Sequence, residues 1–236
     1  MAVSKIPKWG TSQAGDTVEV VERPRGGLSA IMADGQGSGP SARRISNIVV
    51  HKAMSLIADG ARDGAVGRAV HDHLQTLRGA QILCTLTIIS MDLDTGTLVV
   101  SQNGNAPVVV MAPAGERVLV SEVPSIGVHS WIKPEVHEFD LEPGLLAAAF
   151  TDGITKAGTR SGNPLGLESV SALARRFKAH RARDLADGIL EEALVRDRGR
   201  PADDMTVVAV GLSETPGENQ IRRMSISMPV RSVDLA

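Results

Sequence analysis

The sequence predicts an α+β layered domain in which strands are grouped apart from helix pairs. Three observations support this class: a hairpin opens the chain, two helical segments follow it directly, and a series of β-branched runs precedes the last helices. The alternation of strand and helix that builds a parallel doubly wound sheet is not seen. Strands joined by short turns pair antiparallel, so we expect largely antiparallel sheets.

The first predicted element is the hairpin. Thr17–Glu22 alternates Val with polar residues, Pro24–Gly27 forms a turn, and Leu28–Ala33 is a second, more apolar strand. A glycine-rich loop over Gly35–Pro40 then leads into a helix from about Ser41 to Asp59, where apolar residues recur at the helical period.

The rest of the chain is a second helix, a run of strands, a helical region and a closing strand. Turn-forming Asp, Asn and Gly residues separate the strands. We assign residues 8–213 to one domain and 214–236 to a C-terminal tail, whose weak strand Arg222–Val230 would be an added edge strand or partly disordered. The predicted segments are a helix at Ala65–Leu77, strands at Ile82–Leu93, Gly96–Gln102, Ala106–Met111, Val118–Val120, Glu135–Leu141 and Leu145–Phe150, one or two helices within Glu168–His180 and Ala182–Arg196, and a strand at Met205–Leu212.

Composition excludes several classes of function. The net charge is −2 with both signs mixed along the chain, so no broad basic surface for nucleic acid is expected. The longest apolar runs fall far short of the ~20 residues that span a bilayer, so no membrane partner is expected. The single cysteine, Cys84, lies in an apolar run and allows no intrachain disulfide, which favours a packing role and a cytoplasmic location. His71 and His73 stand two apart on a predicted helix, face different directions and are assigned structural or surface roles.

Carboxylates stand at the ends of predicted strands. Asp16 begins the first strand, Asp34 ends the second, Asp152 follows Leu145–Phe150, and Asp203-Asp204 precede the last strand. One Asp-Gly pair at a strand end is usually a turn, but several carboxylates that converge cannot all stay ionised without cations. Oxygen ligands with no His or Cys beside them indicate a hard cation such as Mg²⁺ or Mn²⁺.

Six motifs follow one another along the chain. They are Gly15-Asp16, Ala33-Asp-Gly-Gln-Gly-Ser-Gly39 with Ala42, Asn103-Gly-Asn-Ala-Pro107, Pro124-Ser-Ile-Gly127, Phe150-Thr-Asp-Gly-Ile-Thr-Lys-Ala157 and Asp203-Asp-Met-Thr-Val207. In this order they resemble the metal-dependent protein phosphatases (the type 2C fold), and within them the bacterial sporulation and stress-response branch. The glycine loop looks most like that of the stand-alone stressosome phosphatases.

The resemblance implies an αββα sandwich of two sheets flanked by helix pairs, and a site for two Mn²⁺ or Mg²⁺ ions. In that site Asp34 would bridge both ions and, with Asp152, be central to catalysis through a metal-activated water. The other implied roles are Asp16 and the Gly35 carbonyl as ligands of one metal, Asp152 and Asp203 as ligands of the other, Gly153 and Asp204 as supporting residues, and Arg43 and Arg160 as candidate substrate contacts.

The resemblance also implies a substrate: phosphoserine or phosphothreonine on a bacterial regulatory protein, either an anti-sigma-factor antagonist or a stressosome scaffold. Two alternatives stay open. One is a phosphatase-like module that binds partners without hydrolysis. The other is a dinucleotide site, because Gly37–Ala42 matches a glycine fingerprint between a strand and a helix.

Overall fold

Ten strands form two five-stranded antiparallel sheets in the computed structural model, which describes residues 1–78, 82–214 and 224–227. The first sheet has the strand order β2-β3-β4-β5-β8 and the second β1-β10-β9-β6-β7. The elements are β1 (Ala2–Ile6), β2 (Asp16–Glu22), β3 (Gly27–Gly35), α1 (Gly39–Ala58), α2 (Asp63–Arg78), β4 (Cys84–Asp92), β5 (Thr97–Asn103), β6 (Val108–Ala112), β7 (Gly115–Leu119), β8 (Glu135–Asp140), β9 (Leu146–Phe150), α3 (Asp152–Lys156), α4 (Gly166–Ala174), α5 (Ala182–Arg196) and β10 (Met205–Gly211), with short 3₁₀ turns at Thr159–Ser161 and Ala179–Arg181.

Three apolar layers hold these elements together. Ile31 and Ala33 of β3 face α1 and α2, whereas Ala30 and Met32, one residue away, face the second sheet. This period of two is the expected pattern for a strand that is buried on both sides. A third layer joins α4 and α5 to the outer side of the second sheet. The predicted αββα sandwich is confirmed.

The strand register brings acidic residues from both sheets to the same end of the sandwich. In the β2–β3 hairpin, Asp16 lies opposite Asp34, at the end away from the turn. In the second sheet, Val207 of β10 pairs with Phe150 of β9, so the residues just before β10 lie beside those just after β9. Asp203 therefore enters the region where Asp152 begins α3.

The sequence analysis missed β1, which pairs along its whole length with β10 at a sheet edge and lies before residue 8. Its five residues alternate between partly buried and exposed, and so short an edge strand carries little apolar signal. Of the tail strand Arg222–Val230, only 224–227 lie within the described residues, and they have no regular structure. None of the described helices combines the length and apolar character needed to cross a bilayer.

Candidate metal centre

The predicted acidic residues line one cleft of about 210 Å³ at the end of the sandwich. Asp16 and Asp34 lie on strands of the first sheet, whereas Asp152 begins α3 just after β9 and Asp203 lies just before β10 of the second sheet. The other lining residues are Gly35, Gln36, Gly37, Leu83, Cys84, Thr85, Ser125 and Asp204. The structure thus brings together every aspartate that the sequence analysis selected.

The Asp16 carboxylate is buried, with only 1% of the residue exposed, and hydrogen bonds hold it in a fixed orientation. Its Oδ2 accepts hydrogen bonds from Thr206 Oγ1 at 2.6 Å and from Thr151 Oγ1 at 3.1 Å. Its Oδ1 is buried and has no hydrogen-bond partner among the described protein atoms. Buried polar atoms are nearly always paired, so an orphaned carboxylate oxygen beside other carboxylates fits a cation ligand.

Burial and neighbouring charges raise the pKa values of Asp16, Asp34 and Asp203 in the cleft. Burial, followed by the charges of Asp16, Asp152 and Asp203, raises the pKa of Asp34 to about 8. Burial also raises the pKa of Asp16 to about 6, against the hydrogen bonds from Thr206 and Thr151. The pKa of Asp203 is raised as well, mainly by burial. A bound cation would reverse this balance by favouring the ionised forms.

Two glycines beside the aspartates are required by close backbone contacts. A Cβ on Gly35 would lie 2.2 Å from the carbonyl oxygen of Ala42 in α1, and one on Gly153 would lie 2.1 Å from that of Asp204. Neither position has room for a side chain, because real Cβ atoms do not approach backbone that closely. The Asp-Gly pairs therefore serve packing at the cleft rather than only turn formation.

Asp203 and Asp204 have different surroundings. Asp204 is buried, and its carboxylate accepts hydrogen bonds from the backbone N–H groups of Lys8 at 2.8 Å and Gly15 at 2.7 Å. Asp203 is only partly buried and accepts a bond from the Asp204 N–H at 3.0 Å. Asp204 is thus occupied in holding the segment that leads to Asp16, while Asp203 retains free oxygen lone pairs toward the cleft.

Asp152 forms an ion pair with Lys156, one turn further along α3, at 2.5 Å. In the described part of the chain, no three His, Cys, Asp or Glu side chains are grouped closely enough to hold an ion by themselves. Mg²⁺ commonly takes only one or two carboxylates and completes its shell with carbonyls and water. The donor set of carboxylates and the Gly35 backbone fits such an ion.

Neither Arg43 nor Arg160 lines the cleft. Arg43 donates from Nη1 to the backbone carbonyl of Asp16 at 2.5 Å, so its side chain supports the start of β2. Arg160 is exposed on the 3₁₀ turn after α3. Substrate contact by either arginine stays a prediction.

Several residues at the site were missed by sequence reasoning. Thr151 and Thr206 stand inside quoted motifs, next to Asp152 and two residues after Asp204, but their part in orienting Asp16 depends on the packing of the two sheets. Lys156 has a usable signal, the i,i+4 spacing from Asp152. Lys5, whose Nζ donates to the Asp16 carbonyl at 3.3 Å, lies on the unpredicted β1.

The dinucleotide alternative for Gly37–Ala42 is wrong. The strand before this loop, β3, is antiparallel to both of its neighbours, β2 and β4. A dinucleotide fingerprint needs a parallel β-α-β unit, in which the helix crosses to a strand parallel to the first.

Comparisons with known proteins agree with this fold. The sequence profile of the stage II sporulation protein E (SpoIIE) family matches residues 24–213. Stage II sporulation protein E of Bacillus subtilis (strain 168) is 25% identical over 210 residues, covering 86% of this chain and 24% of that protein. The protein of the same name from Priestia megaterium is 21% identical over 216 residues, covering 89% and 36%. The chain therefore spans about a quarter to a third of the length of these relatives.

Solved structures share the architecture. The PP2C phosphatase domain of B. subtilis SpoIIE, with a fragment of its regulatory domain, superposes with a TM-score of 0.76 at 22% identity, covering 89% of this chain and 62% of that one. The SiaA-PP2C domain of Pseudomonas aeruginosa gives 0.75 at 17% identity, with coverage of 89% and 86%. RsbX in complex with magnesium gives 0.66 at 17% identity, with coverage of 89% and 94%.

The fold is that of the PP2C phosphatase domains, as the six motifs predict. The family match covers most of the chain and lies in the sporulation and stress-response branch, so that resemblance is confirmed. The chain belongs to the SpoIIE family.

Proposed function

We propose that this chain hydrolyses phosphoserine or phosphothreonine on a bacterial regulatory protein. The observation that carries the proposal is the convergence of Asp16, Asp34, Asp152 and Asp203 on one cleft, with the Gly35 backbone beside them. Crowded carboxylates, with the pKa values of Asp16, Asp34 and Asp203 raised by burial and neighbouring charge, are unfavourable for a merely structural site. They suit a site that binds divalent cations and, through them, a phosphate ester.

The residues divide into ligands and supports. Asp34 and the Gly35 carbonyl would hold the ions together with Asp16 on one side and Asp152 and Asp203 on the other. Two bound Mn²⁺ or Mg²⁺ ions would supply Lewis-acid stabilisation and a water of lowered pKa. The magnesium in the RsbX structure supports this choice of ion. Thr151 and Thr206 keep the Asp16 carboxylate oriented, and Asp204 fixes the loop before it.

The cleft is open and polar rather than a deep apolar pocket, and the aspartates lie at its wall. Such a site admits a phosphorylated side chain presented on a protein surface. The structural likeness to a bacterial stressosome protein, with a TM-score of 0.64 at 20% identity, and the SpoIIE family membership support a phosphorylated antagonist or a stressosome scaffold as the substrate. A cytoplasmic location stays a prediction.

The test is a dephosphorylation assay with p-nitrophenyl phosphate and with a panel of phosphorylated antagonist-type proteins, each with Mn²⁺, with Mg²⁺ and with excess EDTA. We expect activity only with metal, and faster turnover of one phosphoprotein than of the small ester. Asp34→Ala should lower activity at least ~10²-fold, the scale for loss of one electrostatic stabiliser of a transition state.

The matched control is Asp94→Ala, since Asp94 is an exposed carboxylate that pairs with Arg25 on the surface. It should leave turnover as in the wild type. Full activity in EDTA would refute the metal-dependent mechanism. Metal-dependent binding of a phosphoprotein without turnover would favour the non-catalytic alternative. Equal rates on every phosphoprotein and on free phosphoserine would refute the regulatory-protein substrate.

A further inference from the structure

One buried histidine joins a helix to the wall of the acidic cleft. His71 of α2 is only 1% exposed, and its Nδ1 accepts a hydrogen bond from the backbone N–H of Gly127 at 3.1 Å. Gly127 ends residues 123–127, which we call the Ser125 segment because Ser125 lines the cleft. The bond therefore connects α2 directly to a part of the cleft wall.

Other hydrogen bonds also hold the Ser125 segment, three of them between backbone groups and one from the Val123 N–H to Ser121 Oγ at 3.1 Å. The Gly104 N–H donates to the Val123 carbonyl at 3.0 Å, and Cys84 and Ile126 exchange two bonds of 3.1 and 2.9 Å. These bonds attach the segment to β4 and to the end of β5. His71 is the side chain that attaches it to α2.

Gly127 packs closely between residue 82 and α2. Its φ is +115°, and a Cβ at this position would lie 1.9 Å from the carbonyl oxygen of Ile82 and 3.1 Å from Leu74 Cδ2, so no side chain fits here. In this packed position the Gly127 N–H is directed at His71. The protonation state of the His71 imidazole therefore decides whether the Gly127 N–H has a hydrogen-bond acceptor.

Only the neutral imidazole can make this bond. An Nδ1 that accepts places the proton on Nε2, whereas in the imidazolium both nitrogens are donors and Nδ1–H would face the Gly127 N–H. Nε2 is buried and without a hydrogen-bond partner among the described protein atoms. Burial lowers the pKa of His71; the charge of the neighbouring Asp72 and the backbone of His129 act in the opposite direction, and the charge of His129 acts with burial. Of the elements that pack against α2, α1 and β4 contribute apolar side chains to the shared core. The strands β5 and β8 also pack against α2, and β8 carries the titratable residues Glu135, His137, Glu138 and Asp140.

We infer that His71 is a positioning residue of the cleft: as the neutral imidazole it fixes the Ser125 segment against α2, and protonation releases the segment. The inference rests on the proposed function only in taking this cleft as the active site. It assigns a role to a side chain that touches neither substrate nor metal.

The Gly127 N–H can be observed directly. Ile126-Gly127 is the only Ile-Gly pair in the sequence, so labelling with [1-¹³C]isoleucine and [¹⁵N]glycine gives this amide a single HNCO signal. We would follow that signal and its hydrogen exchange from pH 8 to pH 5 in the full chain. We expect a one-proton transition with its midpoint below ~6.5, the ordinary value for histidine, and faster exchange on the acid side.

Three variants assign the transition. His71→Asn should abolish it, because the amide oxygen can replace Nδ1 as acceptor but does not titrate. His73→Asn, on another face of the same helix, and His129→Asn should keep it. A transition that survives His71→Asn, or that disappears with His129→Asn, overturns the inference. If His71→Asn does not fold, the wild type still decides, since a Gly127 signal that is flat over this pH range also overturns it.

Turnover of p-nitrophenyl phosphate gives the second readout. At pH 7.5, His71→Leu should lower kcat at least ~10-fold, since misplacement by about 1 Å can cost about 10²-fold. His71→Asn should restore most of that loss. A titrating Gly127 amide in a chain without phosphatase activity would refute the proposed function and leave the positioning role intact. Phosphatase activity without a Gly127 transition would refute the positioning role of His71 and leave the proposed function intact.

Discussion

Replacing Asp34 by Asn should make the metal-free protein more stable while removing its activity. In the absence of cations, Asp34 is the most strained carboxylate of the cleft, since burial and the charges of Asp16, Asp152 and Asp203 raise its pKa to about 8 from 3.8. A group whose pKa is raised by folding destabilises the folded state once it must ionise. An amide of the same shape carries no charge and avoids this cost.

The magnitude follows from the two pKa values. Between 3.8 and pH 7 there are 3.2 units, and each unit corresponds to about 1.4 kcal/mol, which gives about 4 kcal/mol. Because Asp16 and Asp34 repel each other, loss of one charge also relieves the other, and protons can redistribute between them. We therefore expect Asp34→Asn to raise the free energy of unfolding by about 2–4 kcal/mol at pH 7 in excess EDTA.

The sign of the pH dependence is fixed by the same values. The destabilisation by Asp34 is absent below the unfolded pKa of 3.8, grows as the pH rises because the folded state keeps a proton that the unfolded state loses, and is complete above about pH 8. At pH 5 only 1.2 units separate the pH from 3.8, so the advantage of the variant should shrink to about 1–2 kcal/mol.

Urea unfolding followed by far-UV circular dichroism, in excess EDTA at pH 5 and pH 7, measures both quantities. Asp94→Asn is the control, because Asp94 is 48% exposed on the surface. It should leave the unfolding free energy within ~0.5 kcal/mol of the wild type. A variant at position 34 that is no more stable than the wild type at pH 7, or whose advantage does not change with pH, would show that these carboxylates do not strain one another.

Three further predictions concern the supports of the site. Asp204→Ala should lower the unfolding free energy by about 2–4 kcal/mol, because it leaves the Lys8 and Gly15 N–H groups unpaired. Asp203→Ala should lower activity more and stability less than Asp204→Ala. The reverse order in paired denaturation and turnover assays would make Asp204, not Asp203, the metal ligand. Gly35→Ala should abolish activity and lower the melting temperature, since its Cβ has only 2.2 Å to the α1 backbone; unchanged melting would contradict the packing argument. Arg23→Leu should lower the unfolding free energy by about 3–5 kcal/mol, because it breaks the 3.0 Å ion pair and leaves Asp63 buried and unpaired. The double variant Arg23→Leu/Asp63→Leu should recover stability in the same denaturation assay, and a double variant as unstable as the single one would contradict this reason.

The clearest sequence signals in the first sheet belong to its two hairpins, β2–β3 and β4–β5, because a turn joins the strands of each. The hairpin at 17–33 was identified by alternation and by Pro24–Gly27, and its register follows from the turn. Placing Asp16 opposite Asp34 needs nothing beyond that register. The pairings β3–β4 and β5–β8, and most of those in the second sheet, join strands that are far apart in sequence, and no local signal encodes them.

The same distinction explains which site residues were found. Carboxylates at strand ends are visible in the sequence as a pattern of residue types. The hydroxyls that orient Asp16 are not, because Thr151 and Thr206 are 135 and 190 residues away from it in the chain. Lys5 depends on β1, which the sequence analysis missed. Arg43, a candidate substrate contact, donates to the carbonyl of Asp16, a role that depends on the packing of α1 against β2.

Hydrogen bonds at the cleft also connect the two sheets to each other. Asp16 belongs to the first sheet, but both donors to its Oδ2 come from the second, and Asp204 of the second sheet holds the loop that leads into β2. Without cations, the repulsion among four aspartates opposes this contact between the sheets; bound cations would turn it into attraction. Metal binding should therefore stabilise the packing of the two sheets as well as complete the active site. The carboxylates that lower the stability of the metal-free protein are the same ones that would bind the cations.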